Sequence, residues 1–186
     1  MIEELKRACE VLQNGGLILY PTDTKWAIGC DASNSKAVNK IYALKPRSQS
    51  KDMLILLESA NRLSQYLQEV PEIAYELIEV SDKPLTIIYP KAKNLASNLI
   101  AEDGSIGIQI THDNFCEKLI GRLRKPLVSA AANISGTKVP FCFKEVSPDV
   151  ISGVDYVVNW RQDDQTQRPV SSIIKLDAAG RFSLIR

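Results

Sequence analysis

The sequence is poor in the groups that enzymes most often use as nucleophiles and proton carriers. It holds a single histidine, His112, so neither a histidine-based triad nor a multi-histidine metal site can be assembled. A sole histidine placed at a strand end serves structure or surface more often than catalysis. The four cysteines, Cys9, Cys30, Cys116 and Cys142, are far apart and form no Cys-x-x-Cys pair. That excludes a zinc ribbon or redox dithiol and predicts reduced thiols, with no metal ligands expected. Net charge is nearly absent, +1 over 186 residues, so no overall field draws the chain toward nucleic acid or anionic lipid, although a local basic patch is compatible with that total. No apolar run approaches membrane-spanning length. Met1 to Arg7 carries acidic residues and lacks an apolar segment, which predicts no secretory signal and a cytoplasmic location. The Gly-x-x-x-x-Gly-Lys phosphate loop, the Gly-x-Gly-x-x-Gly fingerprint and the Gly-x-Ser-x-Gly elbow are all missing.

What is present is an ordinary globular composition, 45% hydrophobic and 24% charged, long enough to bury a core without disulfides or metals. Apolar spacing predicts helices over Ile2–Gln13, over Asn34 or Ser35 to Leu44, over Ser59–Gln68, from Pro71 to about Val80, and over Asn114–Leu123 with Asp113 as its cap. Pro46 should end the second of these by steering Lys45 out of helical geometry. Strands are expected at Met53–Leu57, Leu85–Tyr89, Ile106–Thr111, Pro126–Ser129 and Tyr156–Val158, with a closing hairpin of Val170–Leu176 and Phe182–Ile185. Asn94–Ile100 is ambiguous, and 159–169 reads as a long polar loop. Strands and helices alternate without a regular βαβ repeat. The expected class is therefore α/β, a single domain over 1–186 with a twisted mixed sheet flanked by helices.

The chain is organised around Gly15-Gly16-Leu17-Ile18-Leu19-Tyr20-Pro21-Thr22-Asp23-Thr24-Lys25-Trp26-Ala27-Ile28-Gly29-Cys30-Asp31. Four apolar residues turn abruptly polar at Pro-Thr-Asp-Thr, and a second apolar segment returns. One reading is a buried strand that delivers hydroxyls and a carboxylate to a site at its end, where α/β proteins place ligands. The other is a plain strand–turn–strand corner whose Thr and Asp make turn hydrogen bonds. Three further polar clusters also follow apolar segments: Lys45-Pro46-Arg47, Ser129 to Asn133, and Ser171-Ser172 with terminal Arg186. Converged, they would offer cations, hydroxyls and a carboxamide, a set suited to phosphates and carboxylates. Lys45 and Arg47, two apart in an extended segment, would face one anion together. Alternatively they are cations favoured by a helix C-terminus.

Taken in order, these segments resemble the YrdC-like family of threonylcarbamoyl-AMP synthases. The opening stretch is similar to its Gly-apolar-Pro-Thr-Asp/Glu-Thr-aromatic-Gly-Cys-Asp signature, and Lys45-Pro46-Arg47 to its Lys-x-Arg pair. Lys83-Pro84-Leu85-Thr86 resembles its Pro-Leu-Thr strand entry. Pro126 to Gly136 and Pro169 to Ile174 resemble its two later Ser-rich segments. The resemblance implies a large concave cavity and a reaction that joins L-threonine, bicarbonate or CO2, and ATP into threonylcarbamoyl-adenylate and pyrophosphate. Other proteins then transfer the product to adenosine in tRNA. It also implies magnesium carried on ATP. Lys45 and Arg47 would be the catalytic pair, holding phosphate or carboxylate groups. Thr22 and Ser171 would lie on the threonine side, Ser129 and Asn133 on the nucleotide side, Arg186 would reach ATP, and Thr24 and Ser172 would also bind substrate. Asp23 is a possible helper.

The chain departs from the family pattern on one wall. Gln109 stands where Arg is usual, Ala130 and Ala131 replace Thr and Ser, Asp52 replaces a Pro, and Ser172 replaces a Thr. The Lys25 to Cys30 variant leans toward the YciO-like branch. This leaves an alternative class open: an RNA-binding or nucleotide-binding relative that keeps the cavity without synthase activity.

Overall fold

The computed structural model describes residues 1–45, 53–134 and 137–186. Nine strands form one sheet in the order β7-β1-β2-β6-β3-β5-β4-β8-β9: β1 Ile18–Pro21, β2 Trp26–Gly29, β3 Leu54–Leu57, β4 Leu85–Tyr89, β5 Ile106–Ile110, β6 Leu127–Ala131, β7 Tyr156–Val157, β8 Ser172–Leu176 and β9 Phe182–Leu184. The pairs β1/β7, β3/β5 and β4/β8 are parallel and the other five antiparallel, so the sheet is mixed, as the irregular alternation predicts.

Helix α1 (Ile2–Gln13) stops at Gly15, whose φ of +72° is left-handed, and Gly16 N–H returns to the Val11 carbonyl. This is the stop the glycine pair predicts. Helix α2 (Ser35–Leu44) starts at Asn34, whose side chain accepts from Lys36 and Ala37 N–H, and ends where Lys45 turns extended at φ −139°. Pro46 explains that turn. Helix α5 (Asn114–Leu123) is capped by Asp113 accepting from Cys116 N–H. Helix α4 (Glu72–Glu79) matches the one expected from Pro71, and α6 (Pro148–Gly153) adds a short helix started by Ser147 accepting from Val150 N–H.

One expected helix is not continuous. Ser59–Gln68 becomes a 3-10 turn, Ala60–Arg62, and a single α turn, α3 (Leu63–Tyr66). Gln68 N–H donates to the Lys91 carbonyl and Lys93 N–H to that of Tyr66. The chain at 66–68 thus pairs edgewise with 91–93, and that long-range pairing overrides the helical spacing. Asn94–Ile100 resolves as irregular turns.

Period-two alternation along the strands divides the core. Ile55, Leu57, Ile87, Tyr89, Ile106, Ile108, Ile174 and Leu176 pack on one face with Ala37, Val38 and Ile41 of α2, Leu63 and Tyr66 of α3, and Ala74 of α4. On the other face, Ile18, Tyr20, Ala27, Leu54, Leu56 and Leu127 pack under α1 and α5. That second cluster contains no residue of β4, β5, β8 or β9. Among the described residues no helix packs on that half of the second face, and the candidate site lies there.

Candidate active site

The corner between β1 and β2 is a tight turn, and its hydrogen bonds are made by the residues singled out from the sequence. Thr22 Oγ1 donates to the Lys25 carbonyl at 2.8 Å and accepts from Thr24 N–H and Lys25 N–H at 3.1 Å each. That uses the donor and both lone pairs of a hydroxyl, and Thr24 Oγ1 lies 3.3 Å away. Asp23 points the other way. Its carboxylate accepts from Gln109 Nε2 at 3.0 Å, from Thr111 Oγ1 at 3.1 Å and from His112 N–H at 2.9 Å. The turn is thereby tied to the end of β5. Arg161 braces it from a third side, donating to the Thr22 carbonyl and pairing with Asp113, each at 3.0 Å.

Over the uncovered half-sheet lies a cavity of about 840 Å³, in the range that accepts a nucleotide-sized ligand. Its floor comes from residues of β4, β5 and β8 that point away from the core: Thr86, Ile88, Gly107 and Ile173. Gly107 keeps the floor low, since a Cβ there would sit 3.3 Å from Leu54 Cβ. Lys25, Ser171 and Arg186 line the same cavity, as do Glu102 and Asp103. Lys175, at 3.0 Å, and the Ser105 hydroxyl and N–H hold the Asp103 carboxyl down at a pKa of about 2, the Ser105 hydroxyl contributing most. The cavity is thus apolar along its floor and carries charge of both signs at its rim.

A second cluster forms behind the end of β6. Lys45, buried and extended, donates from Nζ to the Ala131 carbonyl at 2.8 Å and to Asn133 Oδ1 at 2.9 Å. Asn133 Nδ2 donates onward to the Thr137 carbonyl. Ser129 is buried opposite Leu54, itself a cavity residue. Of the residues expected to form the site, Ser171 and Arg186 share the cavity, Lys45 and Asn133 share a hydrogen bond, and Thr22 and Thr24 share the corner beside Lys25. Ser172 is exposed on β8. Arg47 falls outside the described residues.

The three buried cysteine thiols are not primed for attack. Burial raises the thiols of Cys9, Cys30 and Cys116 above their ordinary pKa, which keeps them protonated and poor nucleophiles. Among the described residues no group of three His, Cys, Asp or Glu side chains is placed to hold a metal ion, and no helix is long and apolar enough to cross a membrane. The arrangement can bind, orient and stabilise charge. Sequence reasoning did not single out Lys25, Thr86 or Arg161 as site residues. Arg161 lies in the long polar loop, and that loop's length was the only sign of a role.

Comparison with known proteins gives a consistent picture. The family model Sua5_yciO_yrdC, described as "Telomere recombination", matches residues 10–186. A protein of Methanocaldococcus jannaschii called putative threonylcarbamoyl-AMP synthase is 33% identical, over 84% of this chain and 75% of its own length. Threonylcarbamoyl-AMP synthase of Pseudoalteromonas translucida is 27% identical, over 86% and 87%. In structure, P. abyssi Sua5 complexed with L-threonine superposes with a TM-score of 0.84 at 23% identity, covering 98% of this chain. This chain spans about half of that one, 53%. E. coli YciO superposes with a TM-score of 0.83 at 20% identity, covering 100% of this chain and 89% of that one.

Proposed function

The chain belongs to the Sua5–YciO–YrdC family, and on that premise we propose that it is an L-threonylcarbamoyladenylate synthase. Residues 1–186 act as one YrdC-like domain in the cytoplasm. The substrates are L-threonine, ATP and bicarbonate or CO2; the product serves threonylcarbamoyl transfer to adenosine in tRNA by other proteins. The observation that carries the reading is the open half-sheet, with its apolar floor, and the cations Lys25 and Arg186 at the rim of the same cavity as Ser171.

The chemistry asks little covalent work of the protein. The threonine amine captures CO2 as a carbamate, whose oxygen forms a bond to the α-phosphorus of ATP as the bond to the pyrophosphate oxygen breaks. Two anions must be held in contact and the charge on phosphorus stabilised. Lys45, fixed by the Ala131 carbonyl and Asn133, is the described cation suited to that task, and Arg47 is its proposed partner. Arg186 serves the phosphates and Ser171 the amino acid. The side chains of Thr22 and Thr24 shape the corner. Magnesium enters on the ATP phosphates as part of the substrate.

The test is pyrophosphate release by the purified chain. Release that requires ATP, L-threonine and bicarbonate together is expected; none above a heat-killed control overturns the proposal. One observation favours a second reading, nucleotide binding without turnover: Gln109 is neutral and its amide is already engaged by Asp23. Thermal stabilisation by ATP with no pyrophosphate release selects that reading.

A further inference from the structure

Strand β9 is the outermost strand of the sheet, and among the described residues no strand pairs with its free edge. Its bonds to β8 are made by alternate residues. Asp177 N–H donates to the Arg181 carbonyl and Ile185 N–H to that of Ile173, with Lys175 opposite Ser183 between them. In an antiparallel ladder the intervening residues turn their N–H and C=O the other way. The backbone groups of Phe182 and Leu184 therefore point out of the sheet. Both residues are also exposed, at 56% and 72%, although their cross-strand neighbours Leu176 and Ile174 belong to the core. An open edge carrying apolar side chains is a template for strand pairing.

We infer that β9 is the interface of a two-fold dimer of this chain, in which two sheets join edge to edge. The open groups fix the register. An axis at Ser183 sets Phe182 opposite the partner's Leu184, and Leu184 opposite the partner's Phe182. Each pair exchanges two bonds, so every open group of both edges is used. An axis at Phe182 would recruit Gly180, whose N–H is already bonded to Asp177. An axis at Leu184 would recruit Arg186, whose N–H and C=O are already bonded to Ile173. About Ser183 the apolar side chains meet each other on one face. On the other, Ser183 meets the partner's Ser183 without bulk, and Arg181 meets the partner's Ile185, so no like charges are opposed.

Helix α4 fits the same partner. It starts beside the hairpin, where Pro71 and Ile73 lie 3.8 and 3.9 Å from the place of a Gly180 Cβ. It leads into Leu85, which pairs with Ser172 at the far end of β8. It thus runs alongside β9 in the same direction, and the axis makes the two α4 helices antiparallel. Phe182 and Leu184 of both copies fill the channel between them. A strand of three residues is short for a stable interface of about 800 Å² per partner. This channel extends the contact, as does the open groove of about 460 Å³ that Val70, Pro71 and Ile73 form with Ala178 and Ala179 at the hairpin end.

The experiment is sedimentation of the full chain and its edge variants. At tens of micromolar the wild type should run at twice the 20.7 kDa of one chain. Leu184→Pro removes an outward N–H and leaves the β8 ladder intact, a change that a free edge tolerates. It should run as a monomer with wild-type circular dichroism. Cross-linking reads the register, in a Cys142→Ser background because Cys142 is the native thiol that is not buried. At the axis the two Ser183 Cα atoms would lie about 4.5 Å apart, within disulfide reach. Mild oxidation should link Ser183→Cys into a covalent dimer and leave Arg181→Cys and the background unlinked. Should Leu184→Pro fail to fold, the cross-linking decides. A monomeric wild type, a dimer that survives Leu184→Pro, no link in Ser183→Cys, or equal linking of Arg181→Cys each overturns the inference.

Discussion

Lys45 Nζ donates to Asn133 Oδ1 at 2.9 Å, joining positions 88 residues apart. The same ammonium bonds the Ala131 carbonyl, so one cation ties the end of α2 to the end of β6. Lys45→Ala removes a donor from two acceptors, and Ala131 is only 6% exposed. Urea unfolding should show a loss of about 1–3 kcal/mol, and pyrophosphate release should fall at least roughly a hundredfold, the upper part of the range for a charged bond. Lys45→Met keeps the aliphatic stem. It should recover part of the stability and none of the activity.

Arg186 offers a contrast. Its backbone pairs with Ile173 while its side chain is exposed at the cavity. Arg186→Ala should leave stability within about 0.5 kcal/mol, as surface changes do. ATP should bind roughly tenfold or more weakly, the value of one charge-assisted bond. Titration of ATP against both proteins checks this, and equal affinities would remove Arg186 from the nucleotide site.

Gly29 on β2 has no room for a side chain. A Cβ would fall 2.5 Å from Tyr20 Cε1 and 2.7 Å from the Val128 carbonyl oxygen, the oxygen that accepts from the Tyr20 hydroxyl at 2.9 Å. Gly29→Ala should cost about 1–3 kcal/mol by overpacking. In a thermal melt that reads as a Tm lower by several degrees, and an unchanged Tm would contradict the close packing.

Asp103 predicts a pH effect. Its carboxyl is held at about 2 by Ser105 and Lys175, below an unfolded value of about 3.9. A depressed carboxyl contributes stability above the unfolded pKa and loses it as pH falls through the folded one. The melting-temperature gap between wild type and Asp103→Asn should therefore be full above about pH 4 and close toward about pH 2. The gap should also be small and shrink with added salt, because this pair is half exposed.

How much of this was legible before the structure depended on range. Helix α5 could be read because its cap, Asp113, and its apolar stripe are adjacent in sequence. Lys45 could be read as a turning point because Pro46 follows it. The four polar clusters could be recognised because they recur in the order that a family uses. The broken helix at 59–68 could not, because its stop is an edge pairing with 91–93. Nor could the partner of Asp23: Gln109 lies 86 residues away, and local spacing carries no information about it. The corner is a hydrogen-bonded turn closed by Thr22, and Asp23 reaches out of it to the end of β5.

The half of the sheet that no described helix covers has a thermodynamic consequence. Ile88 and Ile173 are only partly covered in the free protein, so the hydrophobic gain their burial could supply is still unspent. A nucleotide lying on that floor would supply the missing third layer, in the position a helix takes on the other half. Binding and folding then draw on the same surface. At ligand concentrations about a hundredfold above Kd, occupancy adds about 2.7 kcal/mol to the stability of the chain, so the filled protein should resist heat and proteolysis better than the empty one.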